Sequence, residues 1–126
     1  MPKRKQIIKT VRQQVWRKTN KRCAYCGINL KYEDMTVDHL VPVMHGGTND
    51  FDNLLAACRS CNHRKGTSSL ESFREQVERF PAVLLRDCVT YRNAVRFGLV
   101  IPCPGEVVFY FEGLKFWGLF WKGERK

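Results

Sequence analysis

No run of eighteen apolar residues occurs in this chain, which excludes a helix long enough to span a bilayer, so no membrane partner is expected. Internal repeats and low-complexity tracts are also missing, so neither a solenoid nor a biased linker is expected. The opening residues, MPKRKQIIKT, are basic but lack an apolar core and a small-residue cleavage site; no secretory signal is expected, and a cytoplasmic location is. Acidic side chains are absent from residues 1–22, which hold nine Lys or Arg, whereas residues 23–126 hold thirteen basic and twelve acidic side chains. The net charge of +10 is therefore almost wholly an N-terminal excess. Two readings of it stay open: a solubilising tail, or an arm that attracts a polyanion and releases its counterions.

What remains is the material of one ordinary domain: 126 residues, 44% hydrophobic and 27% charged. Six cysteines are present, and four of them form the pairs Cys23-x-x-Cys26 and Cys58-x-x-Cys61. In a reducing compartment disulfides are not expected, and one such pair alone would suit redox chemistry. Two pairs framing a coherent insert instead suggest a four-thiolate structural zinc site. Cys88 and Cys103 have no partner at ligand spacing and are expected to be small buried hydrophobes.

Residues 1–9 read as a basic arm. Thr10 is expected to cap a helix from Val11 to about Lys18, and Asn20 to Gly27 to form a tight knuckle around the first cysteine pair. Met35 to Val41 has the composition of a strand ending near His39, because Pro42 cannot extend a central ladder. His45 to Asp50 is a loop by composition, Leu54 to Ala57 a return strand, and Arg59 to Lys65 a helix stopped by Gly66. Ser68 and Glu71 fit a capping box for a helix that Pro81 ends. A further helix is expected from Ala82 to about Phe97, with Leu84, Leu85, Cys88, Tyr91 and Val95 inward. Val107–Glu112 and Leu114–Trp121 are expected to form a β-hairpin around Gly113.

The insert between the cysteine pairs carries the chemistry. Asp38 and His39 are neighbours at a strand end, where successive side chains alternate unless the strand is distorted. Asn62 follows Cys58 by four residues on the next helix, so a metal pinning Cys58 and Cys61 would hold it against that strand end. A carboxylate and an amide oxygen are hard donors suited to magnesium or manganese.

In its order and spacing, the set Cys23, Cys26, Asp38, His39, Pro42, Gly46, Gly47, Asn53, Leu54, Cys58, Cys61 and Lys65 resembles the HNH endonucleases, in the zinc-containing branch. The resemblance covers residues 10–66, about half the chain. It implies a small ββα-metal unit tied by a four-cysteine zinc site; with the flanking helices and the C-terminal β-hairpin read above, the expected fold class is α+β. It implies that residues 10–66 are the nuclease core; residues 67–126, beyond the resemblance, are read as an extension within the same compact domain. It also implies a DNA endonuclease that hydrolyses phosphodiester bonds. His39 would be the general base, and Asn53 would hydrogen-bond the backbone near His39 and fix its ring. Asp38 and Asn62 would hold Mg²⁺ or Mn²⁺; Asn62 stands where His is usual, an HNN variant, with His63 next to it. Cys23, Cys26, Cys58 and Cys61 would hold structural zinc. Arg59, Arg64, Lys65, His45, Lys3, Arg4 and Lys5 are candidates for gripping DNA phosphates. The alternative is a zinc-stabilised nucleic-acid-binding module without catalysis. Asn53 also admits a plain turn role, and Arg64 and Lys65 a plain solvated face.

Seven of the fifteen aromatic residues fall between Phe109 and Trp121. They suit an apolar hairpin packed on the preceding helices better than a base-stacking groove, because flanking Lys and Arg are sparse. An exposed hairpin edge would also offer a dimer contact.

Overall fold

The computed structural model describes residues 7–114. Lys9–Lys18 forms helix α1, preceded by Ile8 rather than by the expected cap Thr10, and no side chain caps it. Val15 lies on the inner face and is fully buried. Lys18, at the end of the same face, turns its ammonium onto the Phe51 carbonyl at 2.5 Å and stands 4.2 Å from the centre of the Phe51 ring. Burial draws Lys18 down to about 8, against the opposing pull of Asp52.

Asn20 and Lys21 both take positive φ, reversing the chain into the knuckle. Its turn is closed by Cys23 N–H on the Ile28 carbonyl and Gly27 N–H on the Cys23 carbonyl. Gly27 supplies the left-handed residue that this turn requires, at φ 80°.

Thr36–His39 forms strand β1 and Leu54–Ala57 forms strand β2. They pair antiparallel, with Asp38 opposite Leu55 and His39 opposite Leu54. All four residues of β2 are buried, and its last two are alanines, small enough for the knuckle backbone to approach: Ala24 N–H donates to the Ala56 carbonyl at 2.8 Å. Leu54 and Leu55 contribute about 1.5–3 kcal/mol each as fully buried side chains. Arg59–Lys65 forms helix α2, capped by Cys58, whose sulfur accepts Cys61 N–H, and ended by Gly66 at φ 53°. Helix α1 packs on β2 and α2 on β1.

Val107–Glu112, expected as a hairpin strand, is not one. Phe109 is extended, and Tyr110–Gly113 is a single 3-10 turn. Two backbone donors of this segment are taken by the knuckle: Tyr110 N–H binds the Tyr25 carbonyl at 3.1 Å and Phe111 N–H binds that of Ala24 at 2.8 Å. Phe109 and Phe111 are buried. The other expected strand, to Trp121, and the dimer contact based on the hairpin lie outside the described residues.

Among the described residues, 7–70 with 108–114 form one compact unit and 71–107 a second. Most of the second is helical. Leu70–Glu78 is α3, starting two residues after Ser68, whose hydroxyl instead donates to the Lys65 carbonyl; the expected cap position is thus not used. Pro81 does not end a helix but sits in the first turn of α4, Phe80–Asp87, where its missing N–H costs nothing. The single helix expected from Ala82 to Phe97 is two, α4 and α5, Val89–Arg96, broken at extended Cys88. Arg92 stabilises the break by donating to the last carbonyls of α4, Leu85 at 2.9 Å and Arg86 at 2.7 Å. Leu84 and Leu85, expected inward, are exposed, Cys88 is half-buried and Cys103 exposed; neither cysteine is a core residue. The chain returns to α3 through Arg74 on the Val107 carbonyl and Val107 N–H on Glu78.

Candidate active site and metal centre

The knuckle and the start of α2 bring four sulfurs together. Cys23, Cys26, Cys58 and Cys61 place their Sγ atoms within 4.8 Å of one another. Cys26 and Cys58 sulfurs are 3.9 Å apart; a tetrahedral zinc with bonds of about 2.3 Å would separate its sulfurs by about 3.8 Å. Backbone N–H groups of Tyr25 and Cys61 point at the Cys23 and Cys58 sulfurs, both at 3.4 Å. Hydrogen bonding from Cys61 draws the Cys23 thiol well below its usual range against the effect of burial, while Cys61 rises in return. One thiolate is thus stabilised by its neighbours, and four soft sulfur donors lie at the spacing of ligands to one ion. The residues fit zinc.

Asp38 and His39 sit at the end of β1, at 6% and 5% exposure. Asp38 Oδ2 accepts the Tyr25 hydroxyl at 2.5 Å and pairs with the Lys65 ammonium at 3.1 Å. The same ammonium donates to the His39 carbonyl at 3.1 Å. Lys65, expected among the phosphate-gripping side chains, is instead 1% exposed and ties α2 to the two residues at the end of β1. Asn62 precedes Lys65 by three residues on α2, so the two share a helix face and Asn62 sits one turn away along it. No hydrogen bond links Asp38 Oδ1 or the Asn62 side-chain amide to any described residue. A carboxylate oxygen and a side-chain amide oxygen, both without a partner among the described residues, are a donor set that fits a hard divalent cation.

His39 Nε2 lies 2.7 Å from Asn49 Oδ1, an arrangement that leaves Nδ1 outside the pair. Asn53 secures the loop that carries Asn49. Its amide accepts Val41 N–H at 2.8 Å and donates to the carbonyls of Val41 at 3.1 Å and Thr48 at 2.8 Å. Its own carbonyl accepts Leu40 N–H. His45, Arg59, His63 and Arg64 are exposed. Lys3, Arg4 and Lys5 lie outside the described residues.

Three contributors are not apparent from the sequence. Tyr25 is visible as the aromatic inside Cys23-Ala24-Tyr25-Cys26, but nothing in that motif says where its hydroxyl points. Burial, then the Asp38 carboxylate, holds that hydroxyl well above the usual tyrosine range, so it remains a donor. The inward turn of Lys65 has one signal, its three-residue spacing to Asn62. Asn49 has none.

Residues 23–68 match the family model described as HNH endonuclease. Over this segment the chain resembles the HNH endonucleases. It is also similar to two larger proteins. CRISPR-associated endonuclease Cas9 of Corynebacterium diphtheriae is 38% identical over 66 residues, covering 48% of this chain and 6% of that protein. The crystal structure of the Type II-C Cas9 enzyme from Actinomyces naeslundii superposes with a TM-score of 0.50 at 27% identity, covering 59% of this chain and 8% of that one. The chain spans less than a tenth of the length of either relative. The fold class expected for an HNH unit is the one observed: helices around a two-stranded sheet, with the four cysteines clustered.

Proposed function

We propose that this chain is a metal-dependent DNA endonuclease of the HNH type. One observation carries the reading: Lys65 ties α2 to the strand end bearing Asp38 and His39, with Asn62 one turn away on the same helix face. The family match over residues 23–68 and the endonuclease names of the relatives support it.

The geometry supports the following roles. His39 takes the proton of the attacking water, through the ring nitrogen that Asn49 does not occupy. Asn53 keeps that loop closed. Asp38 and Asn62 hold Mg²⁺ or Mn²⁺, and a bound divalent ion supplies charge stabilisation at the scissile phosphate and the departing oxygen. Cys23, Cys26, Cys58 and Cys61 hold zinc, which fixes the knuckle to α2. Arg59, Arg64 and His45, with Lys3, Arg4 and Lys5, bind flanking phosphates. Residues 1–9 act as the arm and residues 10–66 as the nuclease core.

Nicking of supercoiled plasmid is the test. The chain should nick in Mg²⁺ or Mn²⁺ and not in EDTA, and His39→Ala should lower the rate about 10²–10⁴-fold. DNA binding by both proteins with cleavage by neither would leave a zinc-stabilised binding module instead.

A further inference from the structure

Tyr25 stands between two ligands of the cysteine cluster and is 3% exposed. Its ring is held edge-to-face by Phe109, at 5.3 Å and 82°, and by Phe111, at 6.1 Å and 89°. Its backbone is held at both ends, by N–H on the Cys23 sulfur and carbonyl on Tyr110 N–H. A ring fixed in this way has little freedom to move its hydroxyl, and that hydroxyl donates to Asp38 Oδ2. Lys65 occupies the same oxygen. Turning the carboxylate about its single bond would forfeit both partners, so Oδ2 is committed and Oδ1 is the oxygen left over.

We propose that Tyr25 is a positioning residue for the divalent-cation site: by engaging Oδ2 it directs Asp38 to bind the cation through Oδ1 alone, and it makes the aim of that carboxylate depend on the zinc-bound knuckle. This rests on the reading of Asp38 as a cation ligand. The two metal sites are then mechanically joined. The cysteine cluster fixes the Tyr25 backbone, Phe109 and Phe111 fix its ring, and the hydroxyl fixes Asp38. A buried tyrosine with a purely structural hydrogen bond would matter for stability and leave cation affinity unchanged.

The test uses the full zinc-loaded chain without DNA, with free Mn²⁺ followed by electron paramagnetic resonance. Tyr25→Phe removes one oxygen and keeps the ring packing. It should retain one equivalent of zinc and melt cooperatively, yet bind Mn²⁺ about tenfold or more weakly. Asp38→Asn, run in parallel, should lose most Mn²⁺ binding. Unchanged Mn²⁺ affinity in Tyr25→Phe, with affinity lost in Asp38→Asn, overturns the role of Tyr25 and leaves the nuclease reading standing. Unchanged affinity in Asp38→Asn overturns the cation assignment itself and the role of Tyr25 with it. Should Tyr25→Phe fail to retain zinc, the wild-type chain labelled with 3-fluorotyrosine decides: the Tyr25 fluorine resonance must shift on adding Mg²⁺, and an unmoved resonance overturns the proposal.

Discussion

Gly46 and Gly47 are adjacent in the loop that carries Asn49 to His39, yet they are constrained by different physics. Gly46 takes φ 91°, and a Cβ there would meet nothing within 4 Å. A Cβ on Gly47 would fall 1.7 Å from the Val41 carbonyl oxygen, a backbone atom that cannot step aside, while Gly47 N–H is held on the Pro42 carbonyl. Gly46→Ala should therefore cost about 1 kcal/mol, the usual strain of a left-handed alanine. Gly47→Ala should cost about 2 kcal/mol or more, because the loop must open. Urea denaturation of both variants checks the order; equal losses would mean that the loop yields easily around Val41. The loop itself was legible from its composition. Which glycine is sterically obligatory was not, because that depends on a distance to a residue six positions earlier.

Helix α2 is short, and its start serves two ends: Cys58 is both its cap and a member of the sulfur cluster. These roles separate chemically. Serine is a good N-cap but offers a hard oxygen in place of a thiolate. Cys58→Ser should thus keep the cap yet lose zinc content and lower the melting temperature, since ligation is coupled to folding in small metal-tied units. Full zinc and an unchanged melting temperature would show the cluster to be incidental. The elements around it, β1, β2 and α2, were readable because cysteine spacing, Pro42 and Gly66 punctuate them locally. The break between α4 and α5 was not. The apolar spacing runs continuously past Cys88, and the carbonyls left over at the break are satisfied by Arg92, a tertiary contact that periodicity does not register. For the same reason Val107–Glu112 departs from expectation: its β-branched and aromatic residues suit a strand, but Tyr110 and Phe111 spend their N–H groups on the knuckle, and Val107 and Phe109 spend theirs on Glu78 and Glu112.

At the scale of the whole molecule, charge and partition matter most. The net charge of +10 is concentrated in residues 1–22, but those side chains are not equivalent. Lys18 is buried, and Arg12, Lys21 and Arg22 lie over the rings of Tyr32, Trp16 and Tyr110. Replacing Lys3, Arg4 and Lys5 by Ala should therefore weaken DNA binding and reduce the slope of log affinity against log salt by about 2–3, with no effect on zinc content. A slope unchanged within error would assign the arm to solubility alone. No helix among the described residues is long and apolar enough to cross a membrane.

By itself the sequence determined the frame: two cysteine pairs, the strand ending at Asp38 and His39, the helix bearing Asn62, and from these the resemblance to HNH endonucleases. Each of those signals is local, a matter of spacing along a few residues. The tertiary structure alone decided how the frame is aimed. It turned Lys65 inward onto Asp38, set the Tyr25 hydroxyl on the same oxygen, brought Asn49 to His39, and folded Phe109 and Phe111 back onto the knuckle. Those contacts join residues ten to more than eighty positions apart, and their direction depends on where buried polar groups find partners once the core has closed.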